Sequence, residues 1–325
     1  MGHGHLLDGA WSFEDKLSET ATGFYVKKPS QFRNFITADG SSGYPAEAGR
    51  YVLYSSIACP WAHRTALFRV LKKLEGIVEL VNTEQSDAEQ GWSFVDSPHD
   101  VPGTDKTVNF LHEIYAIGDP GCTTRVTVPL LWDSKTCTVV SNESSEIVRM
   151  FNSEFAAIAE PTPDYYPEAL RADIDAMNQK VLDGINNGVN GSGRSKIQEA
   201  CEQSVDLLFN TLDEMEELLS NQRYLCGDTQ TEADWRLYPN LIRFDPIYYV
   251  GYKCNLRHLD DYPHLSNYLR DLYQTPGIES VSDVESMKRQ VFSANGPING
   301  NGVTPRGPMV DHTRSHDRDR FATAA

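Results

Sequence analysis

A chain of 325 residues has room for two ordinary domains of roughly 100–200 residues each, and 40% hydrophobic against 23% charged residues is a globular balance. A formal net charge of -17 repels nucleic-acid phosphates and anionic lipid surfaces, and no apolar run reaches the roughly 18–20 residues that cross a bilayer. The expected partners are small molecules and proteins, with no nucleic acid and no membrane, and without a recognisable targeting signal the expected location is cytoplasmic.

Residues 1–44 are turn-rich, with Gly40, Ser41, Ser42, Gly43 and Pro45 marking a break at their end, and read as an arm lying on the core. RYVLYSS (50–56) is a β-branched and aromatic run that predicts a strand. A turn at Cys59-Pro60 follows, and then TALFRVLKKL with Leu67, Val70, Leu71 and Leu74 at helical spacing. Gly76 ends that helix and IVELV (77–81) reads as a second strand, which completes a βαβ unit. Residues 82–122 are polar, carry Pro98, Pro102 and Pro120, and read as an insertion with one helical patch at NFLHEIYAI (109–117). VTVPLLW (126–132) and TVV (138–140) predict a hairpin, followed by a helix that Ser141 or Asn142 can cap.

The order βαβ then ββα is that of a thioredoxin-like domain, here over residues 45–160. PTPDYYP (161–167) is a natural linker, and helical signals dominate from 165 to 292. Val205, Leu208, Leu212, Met215 and Leu219 step by three and four along one face of a helix. Thr231 and Asp234 have capping-box spacing at the start of another, which is a folding signal, and HLSNYLRDLYQ (264–274) predicts a last helix. Residues 293–325 form a Gly-, Asn- and Pro-rich tail, either an irregular strap or disordered. The fold class is therefore an α/β thioredoxin-like N-terminal domain plus an all-α C-terminal domain.

Six scattered cysteines without a CxxC pair argue against a disulfide framework and a zinc site alike; His3, His5, His312 and His316 lie in terminal arms, so no metal is expected. Cys59 stands between a strand and a helix, where the helix dipole and first-turn amides favour a thiolate; the competing reading is a buried inert cysteine. No second cysteine follows at the dithiol spacing, so a reaction at Cys59 needs an external thiol to complete its cycle. Val128-Pro129 is either an edge-strand proline or an exposed backbone, with a cis bond plausible, that pairs with a peptide-like ligand. Asn142-Glu143-Ser144-Ser145 opens a helix, where Ser144 and backbone amides can hold a carboxylate and Glu143 an ammonium, unless these residues only cap it.

Taken together, GRYVLYSSIACPWAHR, GWSF (91–94), RVTVPLLWD, SNESSEIVRMFN, INNGV (185–189), LCGDTQTEADWRLYPNLIRFD and YKCN (252–255) resemble the Xi class of glutathione transferases, the glutathionyl-hydroquinone reductases. The resemblance spans nearly the whole chain. It implies the glutathione transferase fold and a reductase that uses glutathione as co-substrate to strip the glutathionyl group from a glutathionyl-hydroquinone. By motif position it implies Cys59 as the nucleophile and Trp92, Arg125, Val128, Glu143 and Ser144 as the glutathione site. It also implies an aromatic-substrate pocket with Tyr166, Asn190, Tyr249, Tyr252 and Val291, and a homodimer formed through the helical domain. Asn190 and Val291 depart from the pattern, since the family places tyrosines there. The alternative reading is a binding protein for aromatic compounds that keeps the fold and the glutathione pocket but turns over slowly or not at all.

Overall fold

The computed structural model describes residues 4–13, 29–87, 89–293 and 302–321. Among these, 4–13, 29–163, 289–293 and 302–303 form one compact unit, and 164–288 with 304–321 form a second. His3 and parts of the N-terminal arm and C-terminal tail lie outside the described residues.

In the first unit, the hairpin β1 (His5–Leu7) and β2 (Ala10–Ser12) joins the later β8 (Thr124–Arg125) in a three-stranded sheet, with His5 opposite Arg125. His5, in the arm expected to lie on the core, is a fully buried strand residue paired with Arg125. The central sheet has the order β10-β9-β3-β4-β5. β3 (Tyr51–Ser55) and β4 (Val78–Asp87) are parallel and joined by helix α1 (Pro60–Leu71), while β5 (Gly91–Phe94) runs antiparallel to β4. The GW segment expected in an insertion is therefore an edge strand of the main sheet, made possible because β4 continues past residue 81.

A small ribbon, β6 (His99–Asp100) with β7 (Thr107–Val108), leads to helix α2 (Leu111–Gly118). Side chains alternate across β3, so Val52 and Tyr54 share one apolar cluster with Leu111, Ile114 and Tyr115 of α2. Tyr51 meets Phe155 edge-on, ring centres 6.1 Å apart. The polar segment 82–122 thus supplies the helix that covers one face of the sheet.

β9 (Leu130–Asp133) lies between β3 and β10 (Thr138–Ser141), and helix α3 (Ser144–Ser153) closes the unit by packing against α1. The predicted strand 126–132 is shortened: the ladder to β3 begins only at Leu130, opposite Tyr54, while the two residues just before the predicted run, Thr124–Arg125, pair with β1. Pro129 has no N–H to offer a ladder, so it sits just ahead of a central strand and not on a sheet edge. The cap of α3 is Glu143, one or two residues beyond the expected Ser141 or Asn142; the Ser141 hydroxyl is occupied by the Glu143 amide.

The second unit is helical. Helix α4 (Arg171–Lys180) runs through a π-helical turn, Val181–Asn186, into α5 (Asn187–Arg194), and α6 (Gln198–Asn221) lies along α5 and that turn. Leu208, Leu212, Met215 and Leu219 of α6 are buried as their spacing predicts. Gly188 lets the α5 and α6 backbones approach: a Cβ there would lie 2.9 Å from Cβ of Leu208. α7 (Glu232–Leu241) is followed by a second π-helical turn, Phe244–Tyr249, and then by α8 (Pro263–Tyr273) and α9 (Val284–Val291), whose last turn groups with the first unit.

The tail is an ordered strap over 304–321. Arg318 is fully buried and donates to the carbonyls of Leu219 (2.7 Å), Gln222 and Arg223 (2.6 Å) where α6 ends. His312, expected in a polar tail, is buried beside Tyr273, because Gln274 binds the carbonyls of His312 and Arg314 and draws the strap inward.

Candidate functional site

Cys59 is half-buried and occupies the N-cap of α1 in an extended conformation, with Pro60 at the first helical position. Its side chain makes no capping hydrogen bond, and the first turn of α1 carries no acidic residue. The positive end of the helix is therefore answered by no carboxylate of its own first turn, which favours negative charge on the sulfur. The thiol donates to the Val128 carbonyl at 3.7 Å, so the segment before the cis Val128-Pro129 bond lies beside it.

The turn that delivers Cys59 is hydrogen-bonded: the Cys59 amide donates to the Ser56 carbonyl (3.1 Å) and the Ala58 amide to the Ser56 hydroxyl (3.3 Å). One turn into the helix, the Arg64 guanidinium lies 4.7 Å from the centre of the Trp61 ring. Other thiols are placed differently. Burial pushes Cys122 and Cys226 up to about 11 and Cys254 to about 12, so these three stay protonated at neutral pH.

Trp92, on β5, and Val128 are buried in one apolar cluster, and Cys59 packs against it. Glu143 caps α3, accepting from the Ser145 amide (3.1 Å) and hydroxyl (2.9 Å) on one oxygen and from Ser30 (2.9 Å) on the other. The buried Ser144 hydroxyl and the Asn142 carboxamide oxygen beside it, and Nε of Arg125 on β8, have no hydrogen-bond partner among the described residues. Buried polar atoms are rarely left so, and the two at the start of α3 are free to bond a polar ligand.

Tyr115 was not singled out by its sequence, yet it ties these segments together. Its hydroxyl donates to the Thr127 carbonyl (2.8 Å) and accepts from the Asn142 amide (3.2 Å), joining the residue before Val128 to the residue before Glu143. Burial pushes its phenol up to about 12, so it acts as a neutral brace. Nothing local in the sequence marks Ser30, which donates to Glu143, or Ser56, which closes the turn before Cys59.

In the second unit, Asn190 is buried on α5 and its amide donates to the Asn186 carbonyl at 2.8 Å. Tyr252 packs edge-on against Tyr248 with ring centres 5.1 Å apart, and its carbonyl accepts from Ser192 at 2.6 Å. Gly193 touches that ring, a Cβ there falling 2.1 Å from Cδ1. Tyr249 stacks on His258 at 3.8 Å, and the Tyr166 hydroxyl donates to Asp175 at 2.7 Å. Asn190 and Tyr252 thus belong to one neighbourhood at the end of α5, whereas Tyr166 and Tyr249 have separate partners. Val291 is buried on α9 in the residues that group with the first unit. Among the described residues no group of three or more His, Cys, Asp or Glu is arranged to hold a metal ion, and no helix is long and apolar enough to cross a membrane.

Two family models match the chain: the glutathione S-transferase N-terminal domain over residues 58–154 and the C-terminal domain over 198–271. The glutathionyl-hydroquinone reductase YqjG of Escherichia coli is 41% identical over 97% of this chain and 98% of its own. The glutathione-bound structure of YqjG, described as a glutathione transferase homolog, superposes with a TM-score of 0.86. A Xi-class transferase structure from Natrialba magadii is 37% identical, covers 98% of this chain and 97% of its own, and superposes with a TM-score of 0.87.

Proposed function

The chain belongs to the Xi class of glutathione transferases, the family of the glutathionyl-hydroquinone reductases, and from that premise we propose that it removes glutathione from aromatic adducts through a mixed disulfide at Cys59. The observation that carries the reading is the half-buried sulfur at the uncapped start of α1, beside the Val128 carbonyl. The first unit is the glutathione-binding domain. Val128 offers backbone to the tripeptide, while Arg125, Ser144 and the amides at the start of α3 meet its carboxylates. Glu143 meets its ammonium and Trp92 walls the pocket.

Two displacements close the cycle. The Cys59 thiolate attacks the sulfur of the glutathionyl adduct, the bond from sulfur to the aromatic carbon breaks, and its electron pair goes to the ring carbon, which takes a proton. The thiolate of a second glutathione then attacks the mixed disulfide, releasing glutathione disulfide and restoring Cys59. Adduct plus glutathione thus becomes hydroquinone plus glutathione disulfide. Incubation with a glutathionyl-menadione adduct, quenched in acid and mapped by mass spectrometry, should find glutathione on Cys59 and free hydroquinone in solution. An adduct confined to other cysteines would overturn the reading.

A specific observation favours a second reading, a binding protein with slow turnover. The Asn190 amide is already committed to the Asn186 carbonyl, and neither an amide nor Val291 supplies the ring proton that a phenol could. Reduction of simple mixed disulfides, whose thiolate leaving group needs little acid help, should then outpace hydroquinone release. Asn190→Tyr with Val291→Tyr should raise only the hydroquinone rate, by at most the ~10²–10⁴-fold of a positioned acid. The protein acts in the cytoplasm as a homodimer formed by the helical unit, a reading supported by the exposed Ile197 and Leu207 at the start and on the flank of α6. A monomeric mass in light scattering at micromolar concentration would exclude that assembly.

A further inference from the structure

Ser56 is fully buried, yet it carries a hydroxyl whose donor and acceptor sides are both used. It accepts from the Ala58 amide at 3.3 Å and donates to the carboxamide oxygen of Gln290 at 3.1 Å, 234 residues along the chain. The Ser56 carbonyl meanwhile accepts the Cys59 amide at 3.1 Å, closing a turn over residues 56–59. Gln290 lies in the last turn of α9, in the residues that group with the first unit.

We propose that Ser56 and Gln290 are a positioning pair for the reactive thiol: Gln290 fixes the hydroxyl rotor of Ser56, and Ser56 holds the turn that keeps Cys59 at the N-cap of α1. This rests on the assignment of Cys59 as the nucleophile and extends it to residues that touch neither glutathione nor the reacting atoms. The physical chain is short. A hydroxyl rotor has one proton, and the Gln290 oxygen claims it, leaving a lone pair of Ser56 for the Ala58 amide. With that oxygen gone, the buried proton must find an acceptor within its own turn, and the carbonyl that receives the Cys59 amide is the nearest by connectivity. The turn then loosens. The sulfur drifts from the first-turn amides of α1, whose field falls off within one turn, and thiolate stabilisation is lost.

The test uses the intact protein without glutathione and reads the pH dependence of iodoacetamide alkylation, mapped to Cys59 by mass spectrometry. Gln290→Leu, which keeps the bulk and removes the acceptor, should raise the alkylation midpoint by about one pH unit, a tenfold loss of thiolate below it. Ser56→Ala, which removes both the bond to Gln290 and the acceptor of the Ala58 amide, should shift it at least as far, and the double variant should shift no further than Ser56→Ala, because Gln290 acts only through the Ser56 hydroxyl. Should Gln290→Leu fail to fold, the smaller change Ser56→Ala carries the prediction alone. A midpoint that stays in place while the melting temperature falls would make the pair purely structural, and additive shifts would make the residues independent; either overturns the proposal. Alkylation requires no glutathione chemistry, so its outcome is separate from whether hydroquinone adducts are the substrate.

Discussion

Two helix N-termini in this molecule receive opposite treatment. α7 opens on a capping box: the Asp234 carboxylate, with no exposed surface, accepts from the Leu225 amide (2.9 Å), the Thr231 amide (2.7 Å) and hydroxyl (2.9 Å), and the Tyr268 hydroxyl (2.6 Å). α1 opens on a cysteine that caps nothing. Burial pushes the Asp234 carboxyl above its ordinary range, and its four donors work against that shift. In α7 the positive end of the helix is spent on joining elements of the fold. In α1 no carboxylate of the first turn answers it, the setting in which we propose that Cys59 reacts.

The largest expected effect comes from closing the open end. Cys59→Ser should lower deglutathionylation by at least ~10³-fold, since a hydroxyl cannot form the mixed disulfide. The same change should stabilise the protein by about 1 kcal/mol, because serine caps helices well. Thermal unfolding and turnover measured on one preparation check both signs, and a variant that is inactive but less stable would break the comparison.

Opening the closed end is the complementary experiment. Asp234→Ala strands two backbone amides and the Tyr268 hydroxyl, and should cost about 3 kcal/mol in denaturant unfolding while leaving Cys59 alkylation at its wild-type rate. Tyr115→Phe probes the frame of the open end. Losing the bonds to Thr127 and Asn142 should weaken glutathione binding about five- to tenfold by calorimetry, with the alkylation midpoint of Cys59 unmoved.

The smallest effect is pH-linked and divides by unit. Burial pushes both His112 and His312 down to about 4, against an ordinary value near 6.5 in an unfolded chain. The unfolded state therefore binds more protons between these values, so the stability these rings contribute is complete above about pH 6.5 and drains away as pH falls toward 4. His112→Gln and His312→Gln should each flatten that decline, shifting the melting temperature at pH 5 by about 2–4 °C relative to its shift at pH 7. Equal profiles for variants and parent would remove the linkage.

What could be read from the sequence was local. The strand at 51–55 and helix α1 follow from a β-branched and aromatic run giving way to helical spacing, and the box at Thr231 and Asp234 needs only three residues of separation. The sequence points to a cap of α3 one or two residues early because Ser141, Asn142 and Glu143 are all able to cap, and only the fold decides which is otherwise engaged. The braces around the thiol left no local trace: Tyr115 meets Asn142 across 27 residues, Ser30 meets Glu143 across 113, and Ser56 meets Gln290 across 234. The run 126–132 forms a strand only from Leu130, since Pro129 has no N–H for a ladder, and the pairing of Thr124–Arg125 with β1 just ahead of it is a distant contact that sequence periodicity cannot see.

Arg318 gives the order of synthesis a physical meaning. The carbonyl of Leu219, near the end of α6, receives its guanidinium donor from a residue 99 positions later. During translation the α6 sequence leaves the ribosome well before the group that closes its last turn, and water must serve those carbonyls in the interval. The helical unit can collapse onto its apolar stripe during that time, but its longest helix is finished only when the strap arrives. Nascent chains stalled before and after residue 318 should therefore differ in protease resistance at the end of α6 far more than at its start.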